Sequence, residues 1–275
     1  MKISIADNLK YADAISRRDA ALLLSFVLGR DKTFLLAHDD YLLTEDEQKQ
    51  FDAAILRRAD GAPVQHITGR QEFYGLEFEV NENVLIPRPE TEILVETAVE
   101  ILRGREKQIF CDVGIGSGCI TVSILHTLKN ARAVALDIST AALTVAKRNA
   151  AKHLVNDRIE FYESDVFDAL SGRQFDLIVS NPPYIPQEDS AGLPAEVRDF
   201  EPHAALFGGA DGTEIIRRLL ADAPQFLNEN GFLLFEFGFG QSEIVREMID
   251  ERVWKFCEIL ADLAAIPRVV VLQRI

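Results

Sequence analysis

The chain has 275 residues, 48% of them apolar and 27% charged, and a formal charge of −15 at pH 7. That composition supplies a substantial core and excludes disordered, collagen-like and low-complexity classes. An acid excess of this size, most of it beyond residue 80, repels nucleic-acid phosphates and argues against direct nucleic-acid binding.

Cys111, Cys119 and Cys257 are too few and too scattered for a disulfide framework or a zinc cage. They read as small buried hydrophobes in a reducing compartment. The histidines are dispersed, with no His-Glu-x-x-His pair, so no metal is expected. Residues 1–7 lack the apolar run of a secretory signal, and no stretch approaches the roughly 18 apolar residues of a membrane span. A soluble, cytoplasmic chain without a membrane partner is expected.

Residues 1–70 read as helices. Ser16-Arg17-Arg18-Asp19 is a capping pattern ahead of Ala20, Leu23, Phe26 and Val27, and Gly29 is a natural stop. Thr44-Glu45-Asp46-Glu47 repeats the signal before Phe51, Ala54 and Ile55, and Gly61 closes that helix. The period then changes. Tyr74, Leu76, Phe78 and Val80 alternate with other residues, and Asn81-Glu82-Asn83 supplies a turn before Val84-Leu85-Ile86, which predicts a β-hairpin. Pro87 and Pro89 end it, and Glu90-Thr91-Glu92 opens a helix with acid in its first turn.

From residue 108 short apolar runs alternate with helical spacings. Strands are predicted at 109–112, 133–137, 159–162, 175–180, 232–236, 254–259 and 269–272, with helices at 120–128 and 141–151. This alternation defines an α/β, Rossmann-like, mostly parallel sheet with its ligand crevice at the carboxyl ends of the strands. No helix separates the last two strands, so an antiparallel edge is expected. The whole divides into a helical domain (1–71), a hairpin linker (72–87) and the larger sheet domain (88–275).

Asp112-Val113-Gly114-Ile115-Gly116-Ser117-Gly118 follows the first strand of that sheet. Its glycines allow a sharp turn and close approach to a ligand, while the next helix offers unpaired N–H groups. A dinucleotide fingerprint would need Gly or Ala where Cys119 stands, and Asp112 puts a carboxylate where a diphosphate would sit. A cationic or hydroxyl-bearing ligand suits it better; a merely tight turn is the alternative. Asp137 ends the second strand, where an acid takes both ribose hydroxyls of a nucleoside, or else caps the next helix. Asp165-Val166 follows the third strand and can meet an adenine edge. Together these positions describe a nucleoside held without a phosphate grip, as in S-adenosylmethionine.

Asn181-Pro182-Pro183-Tyr184 follows the fourth strand. Two prolines fix the backbone and remove two N–H donors, leaving carbonyls as pure acceptors beside the Asn181 amide and the flat face of Tyr184. Such a site suits a planar, conjugated NH₂, in a carboxamide or a nucleobase, whose two N–H groups it accepts and orients.

In this order the motifs resemble a class I S-adenosylmethionine-dependent methyltransferase acting on nitrogen. The flanks are similar to the PrmC/HemK glutamine methyltransferase family: Gly61-Ala62-Pro63-Val64-Gln65-His66-Ile67-Thr68-Gly69, Glu72-Phe73-Tyr74-Gly75, Leu85-Ile86-Pro87-Arg88-Pro89-Glu90-Thr91-Glu92 and Glu201-Pro202-His203-Ala204-Ala205-Leu206-Phe207-Gly208-Gly209. The resemblance implies methylation of the glutamine side chain in the Gly-Gly-Gln motif of class I peptide chain release factors. It implies that Asp112, Gly114, Ile115, Gly116, Ser117, Gly118, Asp137, Asp165, Val166 and Asn181 hold S-adenosylmethionine, with S-adenosylhomocysteine as product. Asn181, Pro182, Pro183 and Tyr184 would hold the glutamine, Asn181, Pro182 and Tyr184 serving catalysis. Phe73, Arg88 and Glu90 would form the substrate entrance, and the helical domain would dock the release factor to a monomeric enzyme. His66 and Phe200 stand where relatives have Tyr, and Ala265 where Gly is usual. A glutamine methyltransferase for a ribosomal protein, an adenine methyltransferase and a nucleoside-binding module without catalysis are the alternatives.

Overall fold

Side-chain caps start the first four helices of the computed structural model, which describes residues 2–103, 105 and 108–275. These are α1 (Ile5–Tyr11), α2 (Arg17–Leu28), α3 (Lys32–Ala37) and α4 (Glu45–Ala59), and α5 (Val64–Thr68) follows after Pro63 without one. Ser16 accepts from the Asp19 N–H at the start of α2, and Gly29 ends it at φ 60°. Thr44 and Glu47 exchange both bonds of a capping box on α4. Ile5, Leu23, Leu24, Leu35, Leu43 and Phe51 form the core beneath these caps. By internal packing the chain forms two units, residues 1–70 with 194–200, and residues 71–193 with 201–275.

A hairpin of β1 (Arg70–Phe73) and β2 (Leu76–Glu79) precedes the main sheet. It lies earlier in the chain than the alternation at 74–86 predicts. Tyr74 and Gly75 both have positive φ, 53° and 70°, the signature of a two-residue turn that matches the twist of paired strands. The Tyr74 N–H donates to the Glu92 carboxylate at 2.8 Å, which holds the turn. Val84-Leu85-Ile86 is not a strand. Val84 packs with Val80 against Ala142 and Val145 instead.

The second unit continues with α6 (Glu92–Arg103), β3 (Ile109–Val113), α7 (Cys119–Thr127), β4 (Arg132–Asp137), α8 (Thr140–Lys152), β5 (Ile159–Glu163), β6 (Phe175–Ser180), β7 (Leu227–Glu236), β8 (Trp254–Ala261) and β9 (Pro267–Arg274). The sheet order is β5-β4-β3-β6-β7-β9-β8. The first five are parallel, and β9 runs antiparallel to both β7 and β8. Alternate residues along each strand face opposite layers. Phe110, Ala133, Ala135, Leu177 and Val179 meet α6, α7 and α8. Cys111, Val134, Leu136, Ile178 and Phe235 meet the layer that holds Ile216, Leu219 and Val245. Burial on both faces explains why these strands read as continuous apolar runs. Among the described residues no helix is long and apolar enough to cross a membrane.

Candidate active site

From β3 the chain winds outward through β4 to β5, then returns across β3 to β6. The carboxyl ends of β3 and β6 therefore border the switch point of the sheet, where doubly wound folds bind ligands. The loop after β3 is fastened to its neighbour. The Gly114 and Ile115 N–H groups donate to the Leu136 carbonyl at 2.8 and 2.9 Å. Gly118 has φ 83°, and a Cβ there would press on Ala146 of α8 at 3.3 Å. Asn149, fully buried on α8, donates to the Ser117 carbonyl at 2.8 Å and to the Glu79 carbonyl at 2.9 Å, and accepts from the Glu79 N–H at 2.7 Å. One amide thus ties the glycine loop to the hairpin.

Asp137 ends β4 with its carboxylate turned to two loops. Oδ2 accepts from the Gly116 N–H and Oδ1 from the Ser139 N–H, both at 2.9 Å. Burial pushes its carboxyl above the ordinary range, and those two N–H donors oppose the shift. Each oxygen retains lone-pair capacity for a further donor.

Asp112 lies beneath the loop with no exposed surface. Its Oδ2 accepts from the Thr121 hydroxyl at 2.6 Å, while Oδ1 has no hydrogen-bond partner among the described residues. Burial raises its carboxyl to about 7, with Asp137 adding in the same sense and the Thr121 hydroxyl opposing. A buried acceptor left without a partner is costly when ionised, which is why the carboxyl holds its proton to higher pH.

After β5, Asp165 is held by Arg218 at 2.7 Å, and Val166 adopts φ 50°. That conformation is costly for a β-branched residue. The Ser164 hydroxyl holds it by donating to the Val166 carbonyl at 3.0 Å.

After β6, the Asn181 Nδ2 donates to the Thr91 hydroxyl at 3.1 Å, and the Tyr184 hydroxyl donates to the Glu236 carboxylate at 3.1 Å. The chain beyond Tyr184 runs beside residues 206–209, with reciprocal bonds between Ile185 and the Leu206 and Gly208 backbone. A Cβ on Gly208 would overlap the Pro183 carbonyl oxygen, so the two segments need this glycine to approach so closely.

A cavity of about 350 Å³ opens over these loops. Gly114, Ile115, Gly116, Ser117, Asp137, Asp165, Val166, Asn181, Pro182, Pro183 and Arg88 line it. Asp112, Gly118 and Tyr184 do not: the first two support the loop from below, and Tyr184 packs into the core beside Glu236. Two expected entrance residues lie elsewhere. Phe73 is 1% exposed, edge-on to Phe78 in the core, because the strand period of β1 turns it inward. Glu90 is exposed on the turn before α6 and is not part of the lining. The opposite wall is formed by Asn83, Val84, Leu85, Phe207, Gly208 and Gly209, to which the strand-end motifs give no pointer. Among the described residues that line the cavity, Arg88 alone is basic, and Glu201 holds it at 2.5 Å. The wall suits an uncharged nucleoside rather than a diphosphate.

Sheet order, switch-point cavity and Asn-Pro-Pro-Tyr loop define a class I methyltransferase. Solved structures carry the same fold. The catalytic domain of hMettl16, in complex with MAT2A 3′UTR hairpin 6, superposes at TM-score 0.61 and 17% identity over 90% of this chain and 91% of that one. A methyltransferase from Pyrococcus furiosus does so at TM-score 0.55 and 17% identity over 81% and 96%. The family model described as PrmC N-terminal domain matches residues 4–69, and the methyltransferase small domain matches residues 89–195. The release factor glutamine methyltransferase of Koribacter versatilis is 43% identical over 98% of this chain and 95% of its own length. That of Geobacter sulfurreducens is 41% identical over 93% and 88%. The chain belongs to the release factor glutamine methyltransferase family and is a methyltransferase enzyme.

Proposed function

We propose that this enzyme methylates the side-chain amide nitrogen of the glutamine in the Gly-Gly-Gln motif of class I peptide chain release factors. One observation carries the reading: the Asn181-Pro182-Pro183 acceptor segment lines the same cavity as the glycine loop and Asp137. An amide placed on the first is therefore within reach of a methyl donor placed on the second. S-adenosylmethionine supplies that methyl on a positively charged sulfur, as an electrophile. Residues Gly114 to Ser117 and the Asp165-Val166 edge shape the nucleoside pocket, and Asp137 takes the ribose hydroxyls.

An amide nitrogen is a weak nucleophile because its lone pair is delocalised. Asn181 and the Pro182 carbonyl accept its two N–H bonds, fix the nitrogen in line with the methyl and favour its pyramidal form. The neutral amide is far too weak an acid to be deprotonated first, so its proton leaves after methyl transfer has begun and no residue acts as an essential general base. The helical unit reads the release factor beyond the single glutamine, and the enzyme works as a cytoplasmic monomer.

The test is mass spectrometry of the Gly-Gly-Gln peptide after incubation of an unmodified release factor with the enzyme and S-adenosylmethionine. One added methyl on the glutamine, lost with Asn181→Ala, is expected. Its absence despite demonstrated cofactor binding overturns the substrate and turns the search to another glutamine-bearing protein, then to adenine in nucleic acid. Full turnover by Asn181→Ala overturns the mechanism.

A further inference from the structure

The amide of Asn181 has two chemically opposite ends, and the reading above uses one of them: Oδ1 must face the cavity. We propose that Glu236, acting through Thr91, is a positioning residue that fixes which end of the Asn181 amide faces the substrate. The inference rests on the glutamine-amide reading and supplies the means by which the acceptor is kept in its accepting orientation.

Three segments distant in sequence meet to make the relay. Glu236 ends β7, next to β6, whose last residue Ser180 pairs with Phe235. Thr91 closes the short turn Pro89–Thr91 ahead of α6. The Thr91 hydroxyl donates to Glu236 Oε2 at 2.7 Å and accepts from Asn181 Nδ2 at 3.1 Å. The other oxygen of Glu236 accepts from the Tyr184 hydroxyl at 3.1 Å.

Proton counting decides the orientation. A threonine hydroxyl has one proton to give. An ionised Glu236 can only accept, so the Thr91 proton then goes to it at 2.7 Å, and toward Asn181 the hydroxyl accepts at 3.1 Å. Asn181 must therefore present Nδ2 to Thr91, which leaves Oδ1 for the other side. The reversed amide would set two lone pairs against each other at Thr91 and offer the substrate NH₂ another NH₂. The ordinary ambiguity between amide O and N is removed here by the chemistry of the partner.

Thr91, at the cavity wall, is 2% exposed and Glu236 1%, so the bond between them lies away from bulk water. Burial pushes the Glu236 carboxyl upward, while the Thr91 and Tyr184 hydroxyls and Arg268 pull it down and Glu90 adds to the rise. Burial and Glu236 keep the Tyr184 hydroxyl protonated far above its usual range, so it stays a donor. The relay explains a buried acid that touches neither the cavity nor any proposed ligand.

The experiment compares Thr91→Val, Thr91→Ser and Asn181→Ala in methyl transfer to a release factor, with S-adenosylmethionine affinity measured separately by calorimetry. Thr91→Val should lower kcat by about 10- to 100-fold, since an unfixed acceptor loses orientation, with the cofactor dissociation constant unchanged within about twofold. Thr91→Ser keeps the hydroxyl and should return kcat to within about threefold of the parent enzyme. If Thr91→Val melts below the assay temperature, Thr91→Ala makes the same deletion without the added methyl. Parental kcat in Thr91→Val or Thr91→Ala, beside an inactive Asn181→Ala, overturns the relay and leaves the proposed reaction standing. Turnover by Asn181→Ala itself overturns both.

Discussion

Replacing Asp112 by Asn should stabilise the free enzyme above neutral pH. The side chain is fully buried, with one oxygen on the Thr121 hydroxyl at 2.6 Å and the other unpaired. Burial lifts the carboxyl from 3.8 to about 7. That rise corresponds to a penalty of about 4 kcal/mol on the ionised folded form. The native state holds its proton to higher pH than the unfolded chain does. Stability is therefore unaffected below about pH 4, falls as pH rises through the interval between about 4 and 7, and has lost the full amount above it. Asn still accepts from Thr121 and cannot ionise, but it leaves an amide N–H₂ unpaired, at a cost of about 1–3 kcal/mol. The balance at pH 8 is a net gain of about 1–3 kcal/mol for Asp112→Asn.

Urea unfolding of both proteins from pH 4 to 8 reads the difference directly. Asp137, which burial raises in the same direction, is coupled to Asp112, so its own contribution should shrink in the variant and add to the flattening of the curve. Identical pH slopes for the two proteins would refute the argument.

Gly208→Ala drives a methyl into the Pro183 carbonyl and should lower kcat by about 10-fold or more, while cofactor affinity by calorimetry changes little. Asn149→Ala removes three hydrogen bonds, the one to Ser117 fully buried and the two to Glu79 partly so, and should cost about 2–4 kcal/mol in urea unfolding while loosening cofactor binding. Ala265 adopts φ 61° in the turn between β8 and β9, so Ala265→Gly should raise stability by about 0.5–1 kcal/mol, read as an upward shift in the melting temperature.

How far the sequence reveals this protein depends on whether a feature is local. Strand positions are legible because both faces of the sheet are covered, so each strand announces itself as an apolar run. The loops at residues 114–118 and 181–183 are legible because glycine and proline carry backbone geometry in their own covalent structure. The hairpin is misplaced for the opposite reason. Tyr74 takes a left-handed conformation that its side chain disfavours, and Val84 and Leu85 line the cavity, with Val84 packed on α8, instead of pairing as a strand. Phe73 follows the same logic, since an aromatic beside a motif gives no sign of whether it faces core or ligand.

The buried acids are the least legible feature, and the arrangement of their donors tells them apart. Glu201 spends its oxygens on the Ile86 N–H and on Arg88, residues 115 and 113 positions away, and so braces the segment that runs along the cavity. Glu236 takes hydroxyls from Thr91 and Tyr184, one of which already holds a cavity-lining amide, and so governs orientation at that amide. Asp112 has used one oxygen and kept the other unpaired beneath the loop, whereas Asp137 accepts one N–H on each oxygen and faces the cavity with capacity left. Identical chemistry in the sequence takes different parts according to which acceptor sites the fold has already filled and whether the side chain reaches the cavity.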